Sequence, residues 1–376
     1  MQPKAARNIS IEALRLIAVA GIAVFHTFQW TFQATCVGVV EYVPLAMFPY
    51  SGVLGFINLL GCWANEVFFM ISGYFLIASA ARAWDGGATW KSQMRRTVQR
   101  LGKVVMPTAF YCLVALAWST VVSPIPDVTL STHYWYTLGL EFIWVYAATV
   151  FMAPWFGLAK SRLSQKSYTA TVIAVGILAF AVNGYLAVMS TTSAGEFSWL
   201  QKLMSAVTYV IAFLISGLLR DVTGAIDSDK AGALGTRSLA AVLALATILD
   251  GALSFTDNLT AMAVLSYKST SLISFALAAA SLLFAATRRS ASGNPRTAGV
   301  IVTLSTATLG FYVMQSLTSS LWRPVFNTLL TNILVSQNSP AAICIITGTV
   351  ISIVFALSLL IIDAARSLIA RKLKRQ

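Results

Sequence analysis

Ten stretches of this chain are apolar for long enough to cross a lipid bilayer as helices. They run approximately 9–31, 54–80, 104–123, 134–158, 168–190, 203–219, 238–255, 261–286, 298–320 and 340–365. A hydrocarbon core about 30 Å thick offers no water to peptide groups, so each segment must close its own hydrogen bonds, as a helix does. Composition agrees: 57% of the 376 residues are hydrophobic and 10% are charged, against about 25% charged in a soluble domain. The expectation is an all-α polytopic membrane helix bundle of about ten transmembrane helices. It forms one domain over 1–376, without an internal repeat or a separate soluble domain.

A net charge of +13 raises nucleic acid as a partner, but the basic residues sit in short segments between apolar ones, which is a topology signal rather than an RNA-binding face. With the N-terminus inside, 22 of the 26 Lys and Arg fall in cytoplasmic segments and only Lys202, Lys268 and Arg323 in outer ones. This bias predicts cytoplasmic N- and C-termini. Lys4 and Arg7 precede an apolar run as in a secretory signal, yet Arg15 interrupts it and no A-x-A-like site follows. The first stretch therefore reads as a retained span. Cys36, Cys62, Cys112 and Cys344 lack metal-type spacing and read as small apolar fillers. With two histidines and no ligand pair at helical spacing, no metal site is expected. Trp30, Phe32, Tyr134, Trp135, Trp199 and Trp322 gather at outer ends, as an interfacial belt does.

Chemistry must come from the few polar residues inside the spans, because ionisable groups there are costly. Arg15 and His26 bracket an apolar run, Leu16 to Phe25. Eleven residues of helix make three turns plus roughly 20° and rise roughly 16 Å, so the two share one face at different depths. A neutral imidazole can take a proton from a hydroxyl near neutral pH, which makes His26 the candidate for proton chemistry. The plain alternative is a histidine hydrogen-bonded between helices. Arg15 either binds phosphate or carboxylate as a planar fork or snorkels to the inner interface. Glu66 near the midplane and Glu141 in the outer half can orient His26 or neutralise Arg15. Ser72, Gly73 and Tyr74 fall at Arg15's depth. Arg96, Arg100 and Lys103 share a helical face, with Arg95 beside them, and suit an anionic ligand or lipid headgroup. His133 opens the fourth span at the interface.

These residues resemble the motifs of the membrane acyltransferase-3 family. Glu12-Ala-Leu-Arg15, then ten residues and His26, is similar to its R-x10-H opening. Glu66-Val-Phe-Phe-Met-Ile-Ser72-Gly73-Tyr74 resembles its V-D-x-F-F-x-x-S-G-[FY] segment, with Glu for Asp. Arg95-Arg96 through Arg100 to Pro107 resembles R-R-x-x-R…P. His133-Tyr-Trp135-Tyr136 with Tyr146 and Pro154 resembles H-L-W-[FY]…Y…P. Leu309-Gly-Phe-Tyr312-Val-Met-Gln315 is similar to the late iYliH motif, with Gln315 where histidine is usual. Glutamine keeps donor and acceptor capacity but cannot act as a base.

The resemblance implies an acyl-CoA-dependent O-acyltransferase of the bacterial cytoplasmic (inner) membrane. Such enzymes move an acyl group, usually acetyl from acetyl-CoA, to a hydroxyl of an extracytoplasmic polysaccharide or lipid-linked glycan. No cofactor stays bound. Carried over by motif, His26, Glu66 and Glu141 would be catalytic. Arg15, Ser72, Gly73, Tyr74, Arg95, Arg96 and Arg100 would hold the donor, with Gly73 letting the backbone approach its arm. His133, Trp135 and Gln315 would meet the acceptor. The competing class is a transporter or flippase-like carrier of a glycan or small molecule, against which the missing inverted repeat weighs. A non-catalytic scaffold of a polysaccharide-export complex is a third reading.

Overall fold

The computed structural model describes residues 8–126, 128, 140–189, 198–267, 270–288, 294–336 and 340–373. Its order is α1 (Ile9–Cys36), α2 (Val43–Ala46), α3 (Tyr50–Asp85), α4 (Trp90–Val121), α5 (Glu141–Arg162), α6 (Gln165–Met189) and α7 (Ser198–Ala225). It continues with α8 (Ser228–Phe255), α9 (Leu259–Leu265), α10 (Leu272–Thr287), α11 (Pro295–Ser305), α12 (Thr308–Leu317), α13 (Ser319–Ser336) and α14 (Pro340–Leu373). Helices begin where a side chain can satisfy the free amides of the first turn. Asn8 caps α1, Thr89 caps α4, Asp227 caps α8, Ser271 caps α10, and Asn294 precedes Pro295 at the start of α11.

Among the described residues, eight helices are long and apolar enough to cross a membrane, and the α11–α12 pair, bent by 43°, makes a ninth. All ten predicted stretches are represented by helix, but two differ in detail. The stretch 261–286 is broken between α9 and α10, and α10 has only 16 residues. The stretch 298–320 bends where α11 ends at Ser305 and α12 begins at Thr308. A further helix, α13, occupies a segment expected to be a connection.

The hub is α3, which packs against α1, α5, α7, α8 and α10. Small residues permit this crowding. A Cβ built on Gly73 would overlap the backbone carbonyl of Phe213 on α7, and one on Gly157 of α5 would overlap Ala80 of α3. Without a hydrophobic difference between lipid and side chain, such close backbone approach supplies the dispersion contact that holds helices together. The basic side chains Arg82, Lys160 and Arg220 meet at one end of the bundle, around a cavity of about 720 Å³. There Lys160 Nζ bonds both carboxylate oxygens of Asp221, at 2.6 and 2.7 Å.

A polar lock ties α14 to α4. Asp363, 1% exposed, accepts a hydrogen bond from Tyr111 Oη at 2.6 Å and another from Arg366 Nε at 2.7 Å. Gly310 of α12 leaves the room in which this carboxylate sits. Asp363→Ala strands both donors, and we expect it to cost about 2 kcal/mol, the scale of hydrogen bonds to a charged group. Detergent-induced unfolding followed by tryptophan fluorescence measures it.

The aromatic belt needs one correction. Trp30 and Trp199 are exposed as expected, at 55% and 67%, but Phe32 and Trp322 are buried. Trp322 Nε1 donates to the Gln315 carbonyl at 3.0 Å, folding the start of α13 back over α12.

Candidate active site

Helix α1 is continuous, so it carries Arg15 and His26 on one face. Arg15, near the basic end, donates from Nη1 to Glu12 at 3.0 Å. Its charge is therefore met by the carboxylate one turn before it, and not by Glu66 or Glu141. His26 faces a cavity of about 670 Å³ at the opposite end of the bundle, with Glu141, Asn65, Tyr209, Tyr312, Gln315 and Arg323 among its lining residues. Glu141, Phe142 and Val145 enter from the first turn of α5, and Gln315 from the last turn of α12.

The imidazole is tied on one side. Arg323 Nη2 donates to His26 Nδ1 at 3.1 Å, while Gln29 Oε1 lies 3.3 Å from the same nitrogen. A guanidinium can only donate, so Nδ1 carries the lone pair, and the proton of the neutral ring is assigned to Nε2. Three residues of the lining also carry buried polar atoms with no protein partner, Gln315 Nε2, Arg323 Nε and Asn65 Oδ1. Gln315 is 2% exposed. Burying such groups unpaired costs free energy.

A second, narrower space of about 130 Å³ lies between the two levels of α1. Val19, Ile22, Phe68, Val104 and Leu309 line it, and Phe142 and Tyr312 belong to its wall as well as to that of the His26 cavity. Aromatic rings frame the junction: Phe142 packs on Tyr312 at 4.6 Å and edge-on to Phe69 at 5.3 Å, and Phe69 stacks on Tyr209 at 4.5 Å. Val19 follows Arg15 by four residues and Val104 follows Arg100 by four. Each arginine thus sits one turn, about 6 Å along its helix, from a residue of that space's wall, on the basic side. Arg96 and Arg100 lie on the face of α4 that carries Val104; Arg95 and Arg96 are exposed and Arg100 is half-buried.

Other expected site residues fall elsewhere. Glu66 is 0% exposed, neither carboxylate oxygen has a hydrogen-bond partner, and it does not line the His26 cavity; its neighbour Asn65 does. No break occurs at Gly73, since α3 is continuous there and the glycine's open face is filled by α7. Ser72 Oγ bonds Tyr146 Oη at 2.8 Å, and Tyr74 Oη bonds Thr223 Oγ1 at 2.9 Å under the guanidinium of Arg220. These three positions pack helices together and do not face the passage. His133 and Trp135 lie outside the described residues.

Sequence reasoning missed Arg323. It counted as one of three outer cations, and the sign that it mattered was a charge flanked by Trp322 and Pro324 in a segment without any other charged residue. It also missed Arg82 and Arg220 in the cavity at the basic end.

Comparison with curated proteins and with solved structures returns no match. A family model, described as an acyltransferase domain, matches residues 8–359. That range takes in α1 with Arg15 and His26, the α3 hub, and the α12–α13 corner that brings Gln315 and Arg323 to the histidine. With nearly the whole chain matched, and a multi-pass helical bundle built around those residues, this protein belongs to the acyltransferase-3 family of membrane acyltransferases.

Proposed function

We propose that this acyltransferase is a transmembrane O-acetyltransferase of the bacterial cytoplasmic membrane, with both termini in the cytoplasm. It takes the acetyl group from cytoplasmic acetyl-CoA and delivers it to a hydroxyl of an extracytoplasmic polysaccharide or lipid-linked sugar. The observation that carries this reading is the apolar space beside the His26 cavity, which shares Phe142 and Tyr312 with it; we read it as part of a passage from the basic end. A donor with a long thin arm and a charged head suits it. The head's phosphates rest on Arg96 and Arg100, with Arg15 nearby, and the arm carries the thioester inward between Val19 and Val104.

In the cavity the acceptor hydroxyl takes the place of the Arg323 hydrogen bond at His26 Nδ1. That nitrogen removes the hydroxyl proton as the oxygen attacks the thioester carbonyl carbon. The C–S bond then breaks, and the thiolate leaves with the proton held by the imidazolium. Glu141 and Gln315 hold neighbouring hydroxyls of the sugar. Of the two carboxylates expected to be catalytic, Glu141 shares the cavity with His26 and Glu66 is not among its lining residues.

Purified protein in liposomes, given labelled acetyl-CoA and a candidate glycan, should release CoA and label the glycan. A carrier would leave the thioester intact, and that result would overturn the proposal. Val104→Phe narrows the passage at a wall residue that is 8% exposed. It should slow transfer from a longer acyl-CoA more than from acetyl-CoA; equal rates would show that the arm takes another route.

A further inference from the structure

The lysines and arginines of the outer segments are scarce, and their placement is informative. Only Lys202, Lys268 and Arg323 fall there, and two of the three, Lys202 and Arg323, line the His26 cavity. Among the described residues neither forms an ion pair with a carboxylate, and Lys202 is exposed while Arg323 is not. Arg323 is half-buried and hydrogen-bonds neutral His26. Among the described residues it pairs with no carboxylate, although Glu141 lines the same cavity, and its Nε is buried without a partner. Gln315 Nε2 is a second buried donor lacking an acceptor. The cavity is thus lined by two cationic side chains, Lys202 and Arg323, against one carboxylate, Glu141. A cation partly withdrawn from water with no anion of its own, as Arg323 is, is stabilised when a ligand brings one.

We propose that the cavity is built for an acceptor bearing an anionic group, a carboxylate or a phosphate ester, close to the hydroxyl that is acylated, and that Arg323 binds that group. The inference rests on the acyl-transfer reading and extends it to substrate class. The geometry couples binding to reaction. With the cavity empty, Arg323 Nη2 occupies the His26 Nδ1 lone pair. An oxyanion offers the guanidinium a stronger, two-pronged partner than one imidazole nitrogen. As Arg323 turns to it, Nδ1 is released to face the adjacent hydroxyl and accept its proton. A neutral sugar leaves Arg323 on the histidine and the base capped. Arg323 is in this sense the specificity-determining residue, and Lys202 adds long-range attraction at the cavity edge.

The test uses full-length protein in detergent and in liposomes, with glucose, glucuronic acid and glucose 6-phosphate as probes. Binding is read as a shift in thermal unfolding without donor, and transfer as label from acetyl-CoA. At least one anionic sugar should bind and be acetylated about 10-fold better than glucose. The two anionic probes separate a carboxylate-bearing from a phosphate-bearing acceptor. Arg323→Gln should abolish the preference, while Arg323→Lys, which keeps the charge, should retain part of it. Equal binding of all three sugars by the wild type, or an unchanged preference in Arg323→Gln, overturns the inference. Selective anion binding lost in Arg323→Gln, but with no acetyl transfer to any sugar, upholds the anion site and removes the acyl-transfer reading. Transfer without anion preference does the reverse.

Discussion

His26→Ala should lower acetyl transfer at least 100-fold, at the lower end of what a positioned general base contributes, roughly 10²–10⁴-fold. The variant should still insert and fold. His26 is half-buried, and its side chain borders a cavity rather than filling a packed core. Its loss removes one hydrogen bond between α1 and α13, while the apolar packing of the two helices stays. His26→Gln is the sharper companion, since an amide can still accept from Arg323 but cannot carry the proton. If the role were only to hold α1 to α13 through that hydrogen bond, glutamine would restore activity. We expect it not to. Labelled-acetyl incorporation, normalised to protein in the membrane fraction, measures both variants, and near-wild-type transfer by either removes the mechanism.

The second large effect is on stability. Gly73→Leu should destabilise the bundle by about 3 kcal/mol, because the new side chain meets the Phe213 carbonyl of α7 rather than the end of a flexible group. Backbone cannot step aside without moving the helix, and α3 is packed on several sides. The control is Gly184→Leu on α6, where a Cβ would meet nothing within 4 Å; that change should stay within about 0.5 kcal/mol. Denaturing-detergent titrations of the two variants separate a close-packing requirement from a general effect of losing glycine. A Gly73→Leu protein as stable as the control would show that α3 and α7 can separate freely.

Much of the fold could be read from hydropathy, because lipid imposes length and helicity on each apolar segment independently of its neighbours. That is why each of the ten stretches contains helix among its described residues. The exceptions lie where local signals are weak or opposed. Ser266, Tyr267 and Ser271 divide α9 from α10 within a run whose average stays apolar. For α13 the difficulty is reversed: Asn327, Thr331, Asn332 and Pro324 dilute its hydropathy to that of a loop, yet it packs on α1 and α14. The site was legible as far as one helix reaches. The eleven-residue spacing of Arg15 and His26 needs only helical geometry. Arg323 lies 297 positions from His26, and no periodicity relates them; the turn from α12 into α13 does. Depth already put Glu141 nearer to His26's level than Glu66, but which way each carboxylate faces could not be read from one helix. Rotation about α3 turns Asn65 toward the cavity and Glu66 away from it.

The passage has a consequence for the membrane itself. A catalyst open to both sides of a bilayer would short-circuit the ion gradients the cell maintains. Here the space of about 130 Å³ is walled chiefly by valine, isoleucine, leucine and aromatic rings. Hydrophobic constrictions of such dimensions gate by dewetting. A wall with so few polar groups offers protons and small ions little to follow between the arginines at one end and His26 at the other. The packing around Phe142 and Tyr312 thus doubles as electrical insulation.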